Sequence, residues 1–326
     1  MPVNLKQLAA ELQLSTATVS LALRDNPIVA EKTRKKVQAL AAERNYIKSN
    51  LGMALQSKKS RIIGYLIDGV TKTFYNEVLQ GAGEAALEQG YGLLVGLVSK
   101  DDKAANLRQA NLLLEKDVDA LIVSEHNGVI APYLKSFEMR KKPVVYCTCE
   151  APRPHFSVTS NDFLGGELAV KTLAEFGHKK ILVNANSMNK QRHEGNLSAA
   201  RAAGIDTVDF KRTSDILRLL KRYSEITAIA AYHDTEACDI MFELKRAGYR
   251  IPQDISIIGY DDLPICSRPE FMLTTIAQQR SMLGYRAVML SLDLIEKRNE
   301  PFGNIVLDPS VVLRESVARP GKRRAR

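Results

Sequence analysis

Four small hydroxyl side chains, Ser15, Thr16, Thr18 and Ser20, crowd the stretch STATVSL, which directly follows the amphipathic run LKQLAAEL. The spacing predicts two short helices around a tight turn at Gln13-Leu14, with Ser15 capping the second. Short side chains let a helix approach the floor of a DNA major groove, and hydroxyls reach phosphate oxygens or base edges. Ala17 and Leu21 on the same helix are candidates for contact with a thymine methyl group, and Arg24, where the pattern breaks, is a further candidate for DNA contact. The same pattern also fits an ordinary helical hairpin with a capped second helix. Taken alone, it leaves both readings open.

No other cluster carries recognisable chemistry. The chain has no Gly-x-Gly-x-x-Gly or Walker A loop and no Gly-x-Ser-x-Gly elbow. The four cysteines, Cys147, Cys149, Cys238 and Cys266, lack zinc-ligand spacing and read as buried free thiols. No cofactor and no metal are expected, and an enzyme is disfavoured. Charge is more telling. The chain carries +9 overall, and residues 1–61 alone carry +7. Five further cations fall in the tail 319–326, which leaves the remainder slightly acidic. A basic module joined to a near-neutral body favours a nucleic-acid partner, although a solvated basic surface would give the same count. No apolar run is long enough to span a membrane, and MPVNLKQLAAEL reads as a helix rather than a leader, so a soluble cytoplasmic protein is expected.

The elements that must position these residues follow from periodicity. Residues 1–47 read as three helices, the third running from about Glu31 to Glu43 and burying Val37, Leu40 and Ala41. Residues 48–60 form a linker in which Gly52 weakens any helix. From Arg61 the rhythm changes. The runs 61–67, 92–98, 120–123, 143–147, 180–183, 228–232 and 255–260 look like buried parallel strands separated by amphipathic helices. Gly90, Gly177, Gly204 and Gly248 stand where left-handed helix ends are expected. The fold class expected is therefore α/β: an N-terminal all-α helix-turn-helix domain, then a two-lobed core of parallel sheets with a ligand cleft between the lobes.

Residues 3–50 resemble the DNA-binding module of the LacI/GalR (lactose-repressor) family nearly end to end, with TVS at 18–20, EKTRKKV at 31–37 and Tyr46 in register. The resemblance continues through Asn161, Gly165-Gly166, Phe176-Gly177-His178, Arg192, His233-Asp234, IPQDISIIGYDD (251–262), LTTIAQ (273–278) and LRES (313–316), and covers about residues 3–318. It implies a ligand-responsive transcriptional regulator, a repressor of carbohydrate-related genes, that binds a palindromic double-stranded DNA operator as a homodimer. It also implies a periplasmic-binding-protein-like core at 61–318. One lobe would comprise about 61–160 with 278–309, and the other 161–277 with 310–318.

In such proteins a hinge leucine wedges into the minor groove, and the matching residue is Leu55. The implied effector cleft is lined by Phe74, Tyr75, Ser124, Arg192, His233, Asp261 and Gln278. An Arg fork, a carboxylate acceptor and an aromatic face suit a sugar or sugar derivative. Arg192 as a surface cation, Asp261 as a turn cap and Phe74 with Tyr75 as core residues are the competing readings. The chain also departs from the family pattern. Gln13 replaces a turn glycine, Leu21 a base-reading arginine and Lys48 a hinge proline, and Thr148, Ser160 and His233 stand at or near the cleft where Asp, Asp and Asn are common. A two-lobed sugar-binding protein without DNA function is the alternative class, against which the basic N-terminal module argues. No leucine heptad follows Arg314, which favours a dimer over a tail-built tetramer.

Overall fold

A computed structural model describes residues 3–46, 59–68, 73–99, 101–124, 130–185, 189–298 and 302–321. It divides into two compact units, residues 1–60 and 61–326. The linker residues 47–58, with Leu55, and the tail 322–326 lie outside the described residues.

The first unit holds three helices, α1 (Leu5–Leu12), α2 (Thr16–Ala22) and α3 (Glu31–Glu43). Asn4 and Gln7 close α1 with a reciprocal capping box. The turn into α2 passes through Gln13 at φ 54, a left-handed position that costs a non-glycine residue about 1–2 kcal/mol. Leu8, Val19, Ala22 and Val37 fill the small core. Arg34 anchors the loop before α3 through Asp25 at 2.8 Å and the Val29 carbonyl at 2.8 Å.

The second unit alternates strands and helices. In chain order these are β1 (Ile62–Asp68), α4 (Thr73–Glu88), β2 (Gly92–Val98), α5 (Lys103–Glu115), β3 (Ala120–Ser124), α6 (Ala131–Met139), β4 (Val144–Cys147) and β5 (Phe156–Ser160). Next come α7 (Asp162–Glu175), β6 (Lys180–Asn184), α8 (Lys190–Ala203), β7 (Asp206–Phe210), α9 (Ile216–Arg222), β8 (Ala228–Ala230), α10 (Asp234–Arg246), β9 (Ser256–Asp261) and β10 (Thr274–Ala277). The last three are α11 (Arg280–Glu296), β11 (Ile305–Leu307) and β12 (Ser310–Val312).

The first sheet has the order β11-β5-β4-β3-β1-β2 and is parallel throughout. The second has the order β12-β10-β9-β8-β6-β7, with only β12 antiparallel. Three connections therefore cross between lobes, after β5, after β10 and after β11. They are tied together where Asn161 donates to Asp308 at 2.9 Å and Gln279 donates to the Asp308 carbonyl at 3.0 Å.

Two sequence expectations need correcting. GLLVGLV (92–98) is an edge strand rather than a buried one, with Leu97 45% exposed, because no strand among the described residues pairs beyond it in the sheet. The run 228–232 is a strand only to Ala230, and Ala231 and Tyr232 turn into α10. Gly90, Gly177, Gly204 and Gly248 all adopt positive φ, as their helix-end positions required.

Two helix pairs pack closely enough to exclude side chains. A Cβ on Gly284 of α11 would sit 1.8 Å from the Val78 carbonyl of α4. One on Gly195 of α8 would sit 2.0 Å from the Phe163 carbonyl of α7. The second contact shapes the site described next.

Candidate functional site

In the first unit, Ser15 caps α2: its Oγ accepts the Thr18 amide at 3.0 Å and bonds the Thr18 hydroxyl at 2.8 Å. Those two hydroxyls hold the helix start. Thr16 and Ala17 are exposed, and Ser20, half-buried, accepts from exposed Arg24 at 3.1 Å. Residues 16, 17 and 20 share one outward face of the helix, and Arg24, in the turn just beyond it, reaches back to Ser20. Leu21 is half-buried and packs against the helical core, where part of its surface is already used.

In the second unit the site is built around Arg192. Gly166 and Gly195 let α7 and α8 touch backbone to backbone, which brings the third residue of α8 against the start of α7. Arg192 is 8% exposed. It donates to one Asp162 oxygen from Nε at 3.1 Å and Nη2 at 2.8 Å, and from Nη1 to the Tyr232 carbonyl. Its guanidinium lies 3.3 Å from the Tyr260 ring centroid and 5.0 Å from that of Tyr232. The Tyr260 hydroxyl reaches Asp162 at 3.0 Å because Gly165 has no side chain there. Burial works against the Arg192 cation, and Tyr260, Asp162 and Asp261 outweigh it, so the group stays charged. Among the described residues, three of its five N–H groups have a partner.

Asp261 ends β9, where strands of an α/β sheet present their carboxyl ends to a crevice. It is 9% exposed and stands at φ 113. Its Oδ1 accepts from Gln278 at 2.6 Å, and its carbonyl accepts from Arg280. Burial pushes its carboxyl up to about 7, partly offset by Arg192. A raised carboxyl binds its proton more tightly in the folded chain, so the associated stability is lost as pH climbs from about 4 through 7. Asp261→Asn removes that titration. Relative to the variant, the wild type should lose up to about 4 kcal/mol between pH 4 and pH 8. Melting curves of both proteins at the two pH values check this, and parallel pH dependences would refute it.

The remaining predicted residues divide. Gln278 belongs to the Asp261 group. Phe74 on α4 is half-buried and packs against core residues of both lobes, edge-on to Tyr75 at 5.3 Å. Tyr75 itself is 4% exposed in the first-lobe core. Ser124 is fully buried, bonding the Tyr65 hydroxyl at 2.7 Å and donating to the Cys147 carbonyl at 2.7 Å. Among the described residues, neither Tyr75 nor Ser124 is seen to hydrogen-bond Arg192 or Asp261. His233 is the N-cap of α10, its Nδ1 accepting the Glu236 amide at 3.0 Å, with its ring beside Tyr232. Asp234 is internal: it accepts the Leu263 amide at 2.7 Å and the Thr275 hydroxyl at 2.5 Å. Asp162, Tyr232, Tyr260 and Arg280 were missed. Only the Asn-Asp pair after β5 hinted at the first.

Comparison with known proteins decides the class. Residues 4–49 match the lacI family of bacterial regulatory proteins, and residues 170–317 match a periplasmic binding protein-like domain. The ribose operon repressor of Haemophilus influenzae is 30% identical over 333 residues, spanning 96% of this chain and 98% of that protein. The chain belongs to the LacI family. A second relative of this LacI-family chain is the repressor CytR of Escherichia coli, 28% identical over 331 residues and 96% of each chain. The Lac repressor dimer bound to operator and the anti-inducer ONPF superposes with a TM-score of 0.81 at 24% identity, covering 98% of this chain and all of that one. A LacI family regulator from Enterococcus faecium with bound ribose gives 0.66 at 24% identity, over 79% of this chain and 99% of that one. The first likeness shows the whole fold, a helix-turn-helix region followed by a two-lobed α/β core, and the second spans about four-fifths of the chain. The LacI-family chain is thus a transcriptional regulator with a DNA-binding module, and its curated relatives are repressors rather than enzymes.

Proposed function

We propose that this regulator represses carbohydrate-related genes by binding a palindromic operator as a cytoplasmic homodimer, and that a sugar or sugar derivative in the Arg192–Asp261 cleft sets its DNA affinity. The observation that carries the reading is the arrangement of the two charged groups. Arg192 is held between aromatic rings with N–H groups to spare, and the Asp261 carboxylate accepts only Gln278 among the described residues. A polyhydroxylated ring satisfies both, since hydroxyls accept from the guanidinium and donate to the carboxylate. On the DNA side, Thr16, Ala17, Ser20 and Arg24 form the reading face, Ser15 and Thr18 fix the helix start, and Leu21 reaches the groove from its margin. Leu55 serves as the minor-groove wedge. The relatives support the sugar class: one curated protein is a ribose operon repressor, and one solved neighbour carries ribose.

A thermal-shift screen of the full chain against pentoses, hexoses and their derivatives tests the ligand half. A ligand at 100 times its Kd adds about 2.7 kcal/mol of stability. One or more carbohydrates should raise the melting temperature by several degrees. A carbohydrate panel that leaves it unchanged, set beside a non-carbohydrate that raises it, refutes the sugar reading.

A further inference from the structure

Arg280, the donor to the Asp261 carbonyl, is the first residue of α11. It is 7% exposed. Its Nε and Nη2 grip the two Glu77 oxygens of α4 at 3.1 and 2.7 Å, a two-pronged ion pair inside the first lobe. Its remaining nitrogen donates across to the carbonyl of Asp261, at the end of a second-lobe strand. That carbonyl belongs to a residue at φ 113, a conformation that a side chain bearing a Cβ adopts only when its surroundings enforce it. On α4, Glu77 lies one turn after Phe74, which packs against the second-lobe core. Two residues of one helical turn therefore engage the other lobe, one by packing and one through Arg280.

We propose that Glu77 and Arg280 are positioning residues: a first-lobe ion pair that holds the Asp261 backbone in its left-handed conformation and thereby aims the Asp261 carboxylate into the cleft. This rests on the reading of Asp261 as an effector contact and adds how that contact is held. It also makes the start of α4 the first-lobe element that registers what happens at Asp261. A guanidinium suits the role, because its planar fork satisfies a carboxylate with two donors and leaves others for a carbonyl.

The charged and polar groups acting on the Asp261 carboxyl are Arg192 from α8, Asp234 from α10, Gln278 from the end of β10 and Arg280 from α11. Removing Arg280 alone therefore has a readable effect. In full-length protein labelled with 13C at the aspartate carboxyls, the resonance missing from Asp261→Asn assigns Asp261. Its wild-type titration midpoint is expected near 7. In Arg280→Met the midpoint should rise, as for loss of a nearby cation, and in Arg280→Lys it should stay near the wild-type value.

Glu77→Gln supplies a second variant that keeps the buried cation, should Arg280→Met fail to fold. Its crystal structure should show Asp261 released from φ 113 toward ordinary extended values. An unchanged midpoint in Arg280→Met overturns the proposal. So does an unchanged Asp261 backbone in Glu77→Gln. Failure of the sugar reading is distinguishable, because it appears as absent carbohydrate binding while the Asp261 titration still depends on Arg280.

Discussion

A chain beginning at Arg61 is expected to lose specific operator binding by a factor of at least about 10³, the usual gap between specific and non-specific sites. It should keep its full thermal response to sugar. The proposed reading face on α2 lies wholly in the first compact unit, and both sheets, with Arg192 and Asp261, lie wholly in the second. The second unit has its own cores on both faces of each sheet, so it should fold without the first. Fluorescence anisotropy with one operator duplex, titrated by full-length protein and by 61–326, measures the loss. Operator affinity in the shorter chain equal to that of the full chain would remove the DNA-reading role from residues 1–60.

The second large effect belongs to Asp261→Ala. A hydrogen bond to a charged group contributes about 1.5–3 kcal/mol, so its loss should weaken sugar binding by roughly 10- to 150-fold. Operator affinity without sugar should stay at the wild-type value, since no residue of the first unit is altered. The variant also removes the buried carboxyl that titrates near 7, so it should fold at least as well above neutral pH. Operator titrations across sugar concentrations, with a melting curve as control, give the comparison. A folded variant that responds at the wild-type sugar concentration would make Asp261 a turn residue, tied only to Gln278 and Arg280.

Much of the fold was legible because it rests on local periodicity. The three helices of residues 5–43 and the strands β1, β3, β4, β6, β8 and β9 are short, strongly patterned segments. The strands β5, β7 and β10 were not read. FSVTS, DTVDF and TTIA mix polar and β-branched residues, and they become strands only because a neighbour pairs with them. β11 and β12 are three residues each and lie after the last helix, where pattern carries little weight.

The site divides the same way. Arg192, Asp261 and Gln278 were legible through the family resemblance, and the structure groups them. Asp162 lies 30 residues from Arg192, and Glu77 lies 203 residues from Arg280, so no spacing rule joins either pair. Ser124 was named through the resemblance alone. Its partner Tyr65 lies 59 residues away, so no spacing rule joins that pair either. His233 was also named through the resemblance, and its Nδ1 caps α10.

The measurement that tests the central claim most directly is a DNase footprint of full-length protein on its operator, titrated with the carbohydrate that gives the largest thermal shift. A dimer reading DNA through two copies of α2 should protect two half-sites related by a two-fold axis. Log affinity should fall with log salt by roughly 0.9 per phosphate neutralised. Protection should change over the same carbohydrate range that stabilises the core. Protection of a single asymmetric half-site, with occupancy indifferent to every carbohydrate that binds, would contradict the account.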